Sequence, residues 1–289
     1  MTRQSDSLGL SSAALPLLRD LIHDRLGLFY DAPRYDALAD RLAPLVLERG
    51  FESFLDYYYL LKYDAAASDE WLRVMDALAV SETYFWREID QVQAVVRHIV
   101  PALQRADPSK PIRIWSVPCA SGEEPLTIAM ALEEAGLFDR GPIEIHASDA
   151  SPAAIQKALA GRYRERSFRS LPPALREKHF LKDGDAWTAR PALRRRVTSW
   201  SVANLLCEAD VALRAQAPIV FCRNVFIYFS PAGVQRVVSG LERHTPSPAY
   251  MCLGASESLL RASSRFELDE VGGAFMYVKR GIDDGIERP

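Results

Sequence analysis

The chain has 289 residues, a formal net charge of -3 and 48% hydrophobic residues, enough material for one large domain or for a large and a small one. The acidic balance disfavours a broad nucleic-acid-binding surface, although it is compatible with a local basic patch. No apolar run approaches the roughly 20 residues that span a bilayer, and the four cysteines include no CxxC pair. We therefore expect a cytoplasmic protein with free thiols and no disulfide framework, zinc site or membrane insertion.

The first part of the chain shows helical periodicity and no competing strand pattern. Apolar side chains recur three and four positions apart, and the periodicity predicts four helices, at about residues 11–26, 33–49, 51–61 and 69–78. Gly27 and Gly50 are placed to end the first two. We predict a helical domain with its linker at residues 1–90, followed by a second domain at residues 91–289.

The segment at residues 81–88 combines polar and aromatic side chains between two predicted helices. Tyr84, Phe85 and Trp86 are each as compatible with core packing as with a ligand site. Arg87 is a stronger candidate for a binding site, because an arginine among aromatic residues needs an anionic or hydrogen-bonding partner.

A strand, a tight turn and a helix start follow one another at residues 112–125, around which the rest of the chain is organised. The turn contains Gly122 as its only glycine, so the dinucleotide pattern GxGxxG is absent. A second predicted strand ends directly on Asp149, where an acid commonly accepts hydrogen bonds from ribose hydroxyls. The pattern favours a cofactor with a ribose and no phosphate, of which S-adenosylmethionine is the usual one.

A change of pattern follows the next helix, which Ser151 and Pro152 begin and Gly161 ends. Short strand-like pieces, a proline pair and a short helix predict an inserted small subdomain at about residues 162–202. The three consecutive arginines at residues 194–196 are more compatible with a solvated face than with a binding site.

A short buried strand is predicted at residues 219–222, and the sequence RNVFIYF begins at its end. In a parallel sheet this places Asn224 and Tyr228 beside the crevice at the carboxyl ends of the strands. The last strand candidates, at residues 250–253 and 274–279, are expected to form an antiparallel edge pair.

Separated motifs occur in one order along the chain: TYFWRE at 83–88, SGEEP at 121–125, ASD at 147–149, CRNVFIYF at 222–229 and GASE at 254–257. Together they resemble the CheR family of chemotaxis protein-glutamate O-methyltransferases. The resemblance implies an α/β fold, with a Rossmann-like S-adenosylmethionine methyltransferase domain, a small helical N-terminal domain and an inserted β-subdomain. It also implies methyl transfer to glutamate side-chain carboxylates of chemoreceptors, the methyl-accepting chemotaxis proteins, which sets receptor signalling and adaptation.

The resemblance also assigns residues by matching position. Arg87 and Tyr228 are expected to be catalytic, Tyr228 near the transferred methyl group and Arg87 orienting a carboxylate of cofactor or substrate. Phe85, Trp86 and Tyr228 are expected to line the crevice. S-adenosylmethionine and its product S-adenosylhomocysteine are expected to bind without metal, in contact with Ser81, Thr83, Arg87, Glu124, Asp149, Asn204, Leu205, Arg223 and Asn224.

The chain departs from the family pattern in three places. Ser81 stands where the family usually has Asn, and Pro118-Cys119 replaces small residues in the turn. In relatives, several arginines of the second helix face the acidic receptor, and of these the chain keeps Arg41 and Arg49.

The partner expected from the resemblance is the cytoplasmic domain of chemoreceptors, met by a monomer. Some relatives also bind a receptor tether peptide through the β-subdomain. Here the corresponding turn, residues 182–185, is short, which disfavours tether binding and favours direct recognition through Arg41.

Two other functions remain open. The chain could be a catalytically weak cofactor-binding regulatory protein of a chemosensory system, or a methyltransferase acting on another carboxylate substrate. Retention of Arg87, Asp149, Asn224 and Tyr228 favours an active enzyme, since function depends on the chemistry of the site.

Overall fold

The structure is a computed structural model that describes residues 12–64, 67–80, 82–263 and 265–281. Ser81, a predicted cofactor contact, lies outside the described residues.

Four helices form the N-terminal region: α1 (Leu15–Leu26), α2 (Tyr35–Glu48), α3 (Phe54–Tyr63) and α4 (Ala67–Leu78). Their apolar faces meet in one core, in which Leu18, Ile22 and Leu42 are fully buried. The core explains the helical periodicity of the sequence, because each helix has one face turned away from water. The first helix ends at Gly27, as predicted.

Eight further helices follow in chain order: α5 (Ile89–Ala94), α6 (Val100–Ala106), α7 (Glu123–Glu134), α8 (Pro152–Ala160), α9 (Pro173–His179), α10 (Pro191–Arg194), α11 (Glu208–Arg214) and α12 (Pro231–His244). A π-helical turn, Val95–Ile99, joins α5 to α6. Ser151 caps α8 as predicted, accepting a hydrogen bond from the N–H of Ala154. No helix in the described part of the chain is both long and apolar enough to cross a membrane.

The strands are β1 (Ile112–Ser116), β2 (Ile143–Asp149), β3 (Arg162–Arg164), β4 (Phe180–Asp183), β5 (Ala186–Ala189), β6 (Val197–Val202), β7 (Ile219–Phe221), β8 (Ala249–Cys252), β9 (Phe266–Val271) and β10 (Ala274–Lys279). Seven of them form one sheet in the order β6-β2-β1-β7-β8-β10-β9. The chain leaves β1 toward β2 on one side and later returns to β7 on the other. The crevice at the carboxyl ends of β1 and β7 is therefore the switch point at which such sheets bind ligands.

The predicted edge pair at residues 250–253 and 274–279 is wrong in part. β8 runs parallel to β7 inside the sheet, and β10 pairs antiparallel with both β8 and β9. The edge strand is β9, which the sequence analysis missed. Only the first residue of its sequence FELDEV is buried, and charged side chains are common on edge strands, so its hydrophobic signal is weak.

A second, three-stranded sheet has the order β3-β5-β4 and is antiparallel. Phe85 attaches it to the rest of the chain, since its ring centroid lies 4.8 Å from that of Tyr163 and 4.9 Å from that of Phe180. β6, which the sequence analysis grouped with the small subdomain at residues 162–202, pairs with β2 in the large sheet instead. The division into domains at residues 1–90 and 91–289 stays a prediction.

Candidate functional site

A cavity of about 310 Å³ lies at the carboxyl ends of β1, β2 and β7 and is covered by the helical region. All predicted cofactor and catalytic residues that the structure describes line it: Thr83, Arg87, Glu124, Asp149, Asn204, Leu205, Arg223, Asn224 and Tyr228. Residues from five separate segments of the sequence are thus brought to one place.

The turn after β1 is held against β2 by backbone hydrogen bonds. The N–H of Cys119 donates to the carbonyl of Ser148 over 2.8 Å. Gly122 has φ 95°, and a Cβ there would lie 3.0 Å from the Cβ of Ala158. The turn therefore requires glycine at this position, for its backbone conformation and for close packing against α8.

Asp149 is a buried acid without a cation. One carboxylate oxygen accepts the N–H of Ala120 and the other that of Ser151, each over 2.9 Å. No described arginine or lysine forms an ion pair with it, and burial raises its pKa. Each oxygen keeps a free lone pair, so the carboxylate can accept two more hydrogen bonds. A ribose diol would supply that pair of donors.

Arg223 and Glu124 neutralise each other beneath the cavity. The Nε of Arg223 lies 2.6 Å from the Oε2 of Glu124, and its Nη1 donates to the carbonyls of Arg87 and Glu88 over 3.1 Å. The Oε1 of Glu124 accepts the hydroxyl of Ser116 over 2.6 Å. Only 2% of the Arg223 side chain is exposed. The pair joins the start of α7, the end of β7 and the segment at residues 87–88.

The loop after β7 is held by an acid that the sequence analysis did not single out as a site residue. The carboxylate of Glu257 accepts backbone N–H groups from Asn224, Val225, Phe226 and Gly254, over 2.6 to 2.8 Å. The sequence feature that could have identified Glu257 is its position, because it follows the end of β8 just as Asn224 follows the end of β7.

Tyr228 lies in a 3₁₀ turn, Phe226–Tyr228, and lines the cavity. Its carbonyl accepts the N–H of Phe29 over 2.8 Å, and Leu28 forms a β-bridge with Phe229. The chain that follows α1 is therefore bonded to the loop that carries Tyr228.

The aromatic segment places its side chains differently from the prediction. Phe85 is fully buried in the aromatic cluster beside the small sheet, and Trp86 packs against the same core. Neither lines the cavity, whereas Tyr84 does. The reason is tertiary packing, since the ring of Phe85 contacts those of Tyr163, Phe168 and Phe180.

Arg87 lines the cavity with a quarter of its side chain exposed. Its Nη1 donates to the carbonyl of Glu82 over 3.3 Å, and its guanidinium lies 5.6 Å from the ring centroid of Tyr84. The nearest carboxylate contact, to Glu88, is 3.8 Å long. Arg87 therefore keeps donors available for an anionic ligand.

The wall opposite the sheet is apolar and aromatic with two cations, and comprises Leu26, Leu28, Phe29, Tyr30, Arg34, Arg41, Met75 and Leu78. Arg41 donates to the carbonyl of Leu78 over 2.8 Å. Of these residues, only Arg41 was expected at the site. Leu28, Phe29 and Tyr30 lie in the connection between α1 and α2, whose sequence contains no motif that predicts a site.

Two of the polar residues singled out in the sequence, Asn204 and Arg49, form hydrogen bonds within the protein. The Nδ2 of Asn204 donates to the carbonyl of Arg25 over 2.9 Å, and its Oδ1 accepts the N–H of Leu206. Arg49, considered for receptor contact, is bound to buried Glu70. Burial raises the pKa of the Cys119 thiol well above its usual value. Cys119 is therefore a neutral part of the turn.

No group of three or more His, Cys, Asp or Glu side chains among the described residues is arranged to hold a metal ion. The side chains that line the cavity offer a ligand hydrogen-bond acceptors, aromatic faces and arginines. A doubly wound sheet with an acid after its second strand and a turn without phosphate-binding glycines is the arrangement of S-adenosylmethionine-dependent methyltransferases.

Comparison with known proteins narrows the class. A family model described as "CheR methyltransferase, SAM binding domain" matches residues 81–272. A second model, "CheR methyltransferase, all-alpha domain", matches residues 13–79. The chain belongs to the CheR methyltransferase family. It is an S-adenosylmethionine-dependent protein methyltransferase with a Rossmann-like fold, which confirms the predicted family, fold class, enzyme class and cofactor.

Individual relatives align over most of the chain. Chemotaxis protein methyltransferase 2 of Vibrio cholerae is 32% identical over 263 residues, which are 90% of this chain and 91% of the relative. Chemotaxis protein methyltransferase 1 of Pseudomonas aeruginosa is 26% identical, covering 93% and 99%. The probable biofilm formation methyltransferase WspC of Pseudomonas putida is 28% identical over 91% of this chain and 61% of its own length.

Proposed function

We propose that the protein transfers methyl groups from S-adenosylmethionine to glutamate side-chain carboxylates in the cytoplasmic domain of chemoreceptors, and so sets receptor signalling and adaptation. The observation that carries the proposal is the composition of the cavity at the carboxyl ends of β1, β2 and β7. Its sheet side holds the predicted cofactor residues, and its opposite side and rim present Arg34, Arg41 and Arg87. Arginines suit a substrate that is itself a carboxylate.

The residues present fit the cofactor. The cavity volume is in the range of small-molecule sites, and the free lone pairs of Asp149 match the two hydroxyls of a ribose. Thr83, Asn224 and the backbone around Leu205 complete the proposed binding residues. When bound, S-adenosylmethionine supplies a methyl group activated by its positively charged sulfonium.

The task left for the protein is alignment. A glutamate side chain has a pKa near 4.3 and is ionised at neutral pH, so no general base is needed. In the proposed arrangement Arg87 orients the carboxylate and Tyr228 lies beside the methyl group. The opposite charges of the reactants cancel during the reaction, so the apolar wall does not oppose it, and aromatic faces attract the cation. Holding the reactants in line lowers the activation barrier, because less translational and rotational entropy is then lost in reaching the transition state.

Receptor recognition is proposed to occur directly at the cavity mouth. Arg34 and Arg41 line the cavity, whereas Arg49 is bound internally to Glu70. In the small sheet, only Gly184 and Asp185 separate β4 from β5, which leaves little room for a peptide-binding loop. We therefore infer that a monomer meets the methylation helix of the receptor without a tether peptide.

The test is transfer of a labelled methyl group to purified receptor cytoplasmic fragments. We expect label in the receptor that is released by mild base, as a carboxyl ester would be, and little label with the Asp149→Ala variant. Cofactor binding without transfer to any fragment would favour the regulatory protein. Transfer only to small carboxylates would favour the other methyltransferase function.

The mode of recognition is tested with matched receptor fragments that have or lack their terminal peptide. We expect similar rates for both. A large loss of methylation on removing the peptide would reject direct recognition while leaving the proposed reaction intact.

A further inference from the structure

We propose that Glu257 is a positioning residue for methyl transfer, because its carboxylate holds the loop that carries Asn224 and Tyr228. The expected effect on methyl transfer rests on the proposed function, whereas the expected effect on the loop rests on the geometry alone. Glu257 lies after β8, outside the residues that the family resemblance assigned to the site.

The carboxylate binds four backbone donors with both of its oxygens. The Oε2 accepts the N–H of Asn224 over 2.6 Å and that of Gly254 over 2.8 Å. The Oε1 accepts the N–H groups of Val225 and Phe226, each over 2.7 Å. Charge-assisted bonds of this length are about twice as strong as neutral ones. The loops after β7 and β8 are thus joined through one side chain.

The loop needs such an anion because of its backbone conformation. Asn224 has φ 59° and Val225 has φ -119°. A left-handed residue followed by a right-handed one points successive N–H groups into one concavity, which binds an anion. Asparagine is one of the few residues other than glycine that adopt this left-handed conformation. The carboxylate of Glu257 occupies this concavity and stabilises the conformation.

Gly254 leaves the space that this arrangement requires. A Cβ at this position would lie 2.9 Å from the Oε2 of Glu257 and would also collide with the side-chain amide of Asn224. The side chain of Asn224, a proposed cofactor contact, therefore packs directly over a glycine in the loop that Glu257 holds.

The held residues in turn place Tyr228. The N–H of Tyr228 donates to the carbonyl of Val225 over 3.1 Å, and that of Phe229 to the carbonyl of Phe226 over 3.1 Å. Both acceptors belong to residues whose N–H groups bind Glu257. A shift of these residues would move Tyr228 relative to the cavity, and small misplacements of reacting groups are costly.

No described cation forms an ion pair with Glu257, so its charge serves the backbone donors. Glu257→Gln is therefore a specific test. Whichever way the amide is oriented, its NH₂ group faces two backbone N–H donors and can accept from neither. The matched control is Glu242→Gln. Glu242 also accepts a backbone N–H, from Arg265 over 3.2 Å, but its partners Ser263, Arg265 and Lys279 lie outside the loop that carries Asn224 and Tyr228.

The first measurement is hydrogen exchange, which needs no substrate. We expect faster exchange of the amides of Asn224, Val225 and Phe226 in Glu257→Gln, and unchanged exchange there in Glu242→Gln. Unchanged protection in Glu257→Gln would overturn the inference, whatever the substrate of the enzyme.

The second measurement is a double-mutant cycle on methyl transfer at a temperature where all variants are folded. We expect Glu257→Gln to lower kcat at least about tenfold in the wild-type background and far less in the Tyr228→Phe background, since the position of the hydroxyl then no longer matters. Glu242→Gln should leave kcat unchanged. Equal losses in both backgrounds would show a general structural effect and reject positioning of Tyr228. If wild-type protein methylates no receptor fragment, the proposed function fails and the exchange result still decides the structural part.

Discussion

Two regions of the molecule bury acids in opposite ways. In the helical region, the carboxylate of Glu70 is inaccessible to solvent and binds Arg49 over 2.8 Å, Tyr57 over 2.7 Å and Arg73 over 3.1 Å. Burial alone would raise its pKa, but these donors and positive charges outweigh burial and lower it. Glu70 therefore stabilises the folded helical region as an anion.

Two acids at the carboxyl ends of the strands, Asp149 in the cavity and Glu257 after β8, form no ion pair with a described residue. They accept backbone N–H groups, and burial raises the pKa of each. Their ionisation therefore costs folding stability. Glu70 contributes to stability, whereas we propose that Asp149 serves cofactor binding and Glu257 serves loop positioning. Mutations in the two regions should therefore affect different measurements.

The largest effect on stability is expected from Glu70→Gln. The change removes a buried anion from two arginines and a buried tyrosine hydroxyl, and should lower the free energy of unfolding by about 3 kcal/mol. Chemical denaturation measures it. Glu48→Gln is the control, because Glu48 is an exposed partner of Arg73 and its loss should cost less than about 1 kcal/mol. Equal losses in the two variants would contradict a special contribution from Glu70.

The same acids predict opposite pH dependences. Because the pKa of Glu70 is lowered by folding, its stabilisation is complete above the ordinary glutamate pKa and is lost as pH falls through the folded-state value. Because the pKa of Asp149 is raised, its ionisation costs stability as pH rises through that value. Thermal unfolding from about pH 7 to about pH 3 should show Glu70→Gln approaching wild type at low pH. The stability of Asp149→Asn relative to wild type should increase as pH rises, because the variant lacks the cost of ionising this buried acid.

Cofactor binding should depend on Asp149 and not on Glu70. Asp149→Ala should weaken binding of S-adenosylhomocysteine by about 1 to 3 kcal/mol, the range for hydrogen bonds to a charged acceptor. Calorimetry measures the affinity, and Glu70→Gln at a temperature where it is folded serves as the control. Unchanged affinity in Asp149→Ala would refute its assignment to the ribose.

Substitution of Tyr228 should affect turnover more than cofactor binding. Tyr228→Phe should lower kcat about tenfold, or 1.4 kcal/mol, with a smaller loss of cofactor affinity. Steady-state kinetics and calorimetry on the same preparation test the split. Equal losses would make Tyr228 a binding residue, and lost thermal stability alone would make its hydroxyl a structural group.

The smallest effect is expected at Arg41, whose side chain is exposed. Arg41→Gln should lower kcat/KM for receptor fragments a few-fold, because exposed charge pairs contribute less than about 1 kcal/mol. The wild-type rate should fall with added salt, and the variant should show a weaker dependence. Identical salt dependence in both proteins would argue against a contact between Arg41 and an acidic receptor surface.

Local sequence patterns predicted the four N-terminal helices, the strands that lead into Gly122 and Asp149, and the helix start at Ser151. These features follow from periodicity, caps and turn residues, which are local properties of the chain. The family motifs added the candidate site, and every described member of it lies at one cavity.

Other features became visible only in the folded chain. The tertiary structure placed β6 in the large sheet, revealed β9 at the edge, and buried Phe85 while exposing Tyr84 to the cavity. Strand pairing, and which of two neighbouring aromatic side chains is buried, depend on distant partners, which local pattern does not contain. The same holds for Glu257, an ordinary acid in the sequence. Its function depends on three amides about 30 residues away that fold against it.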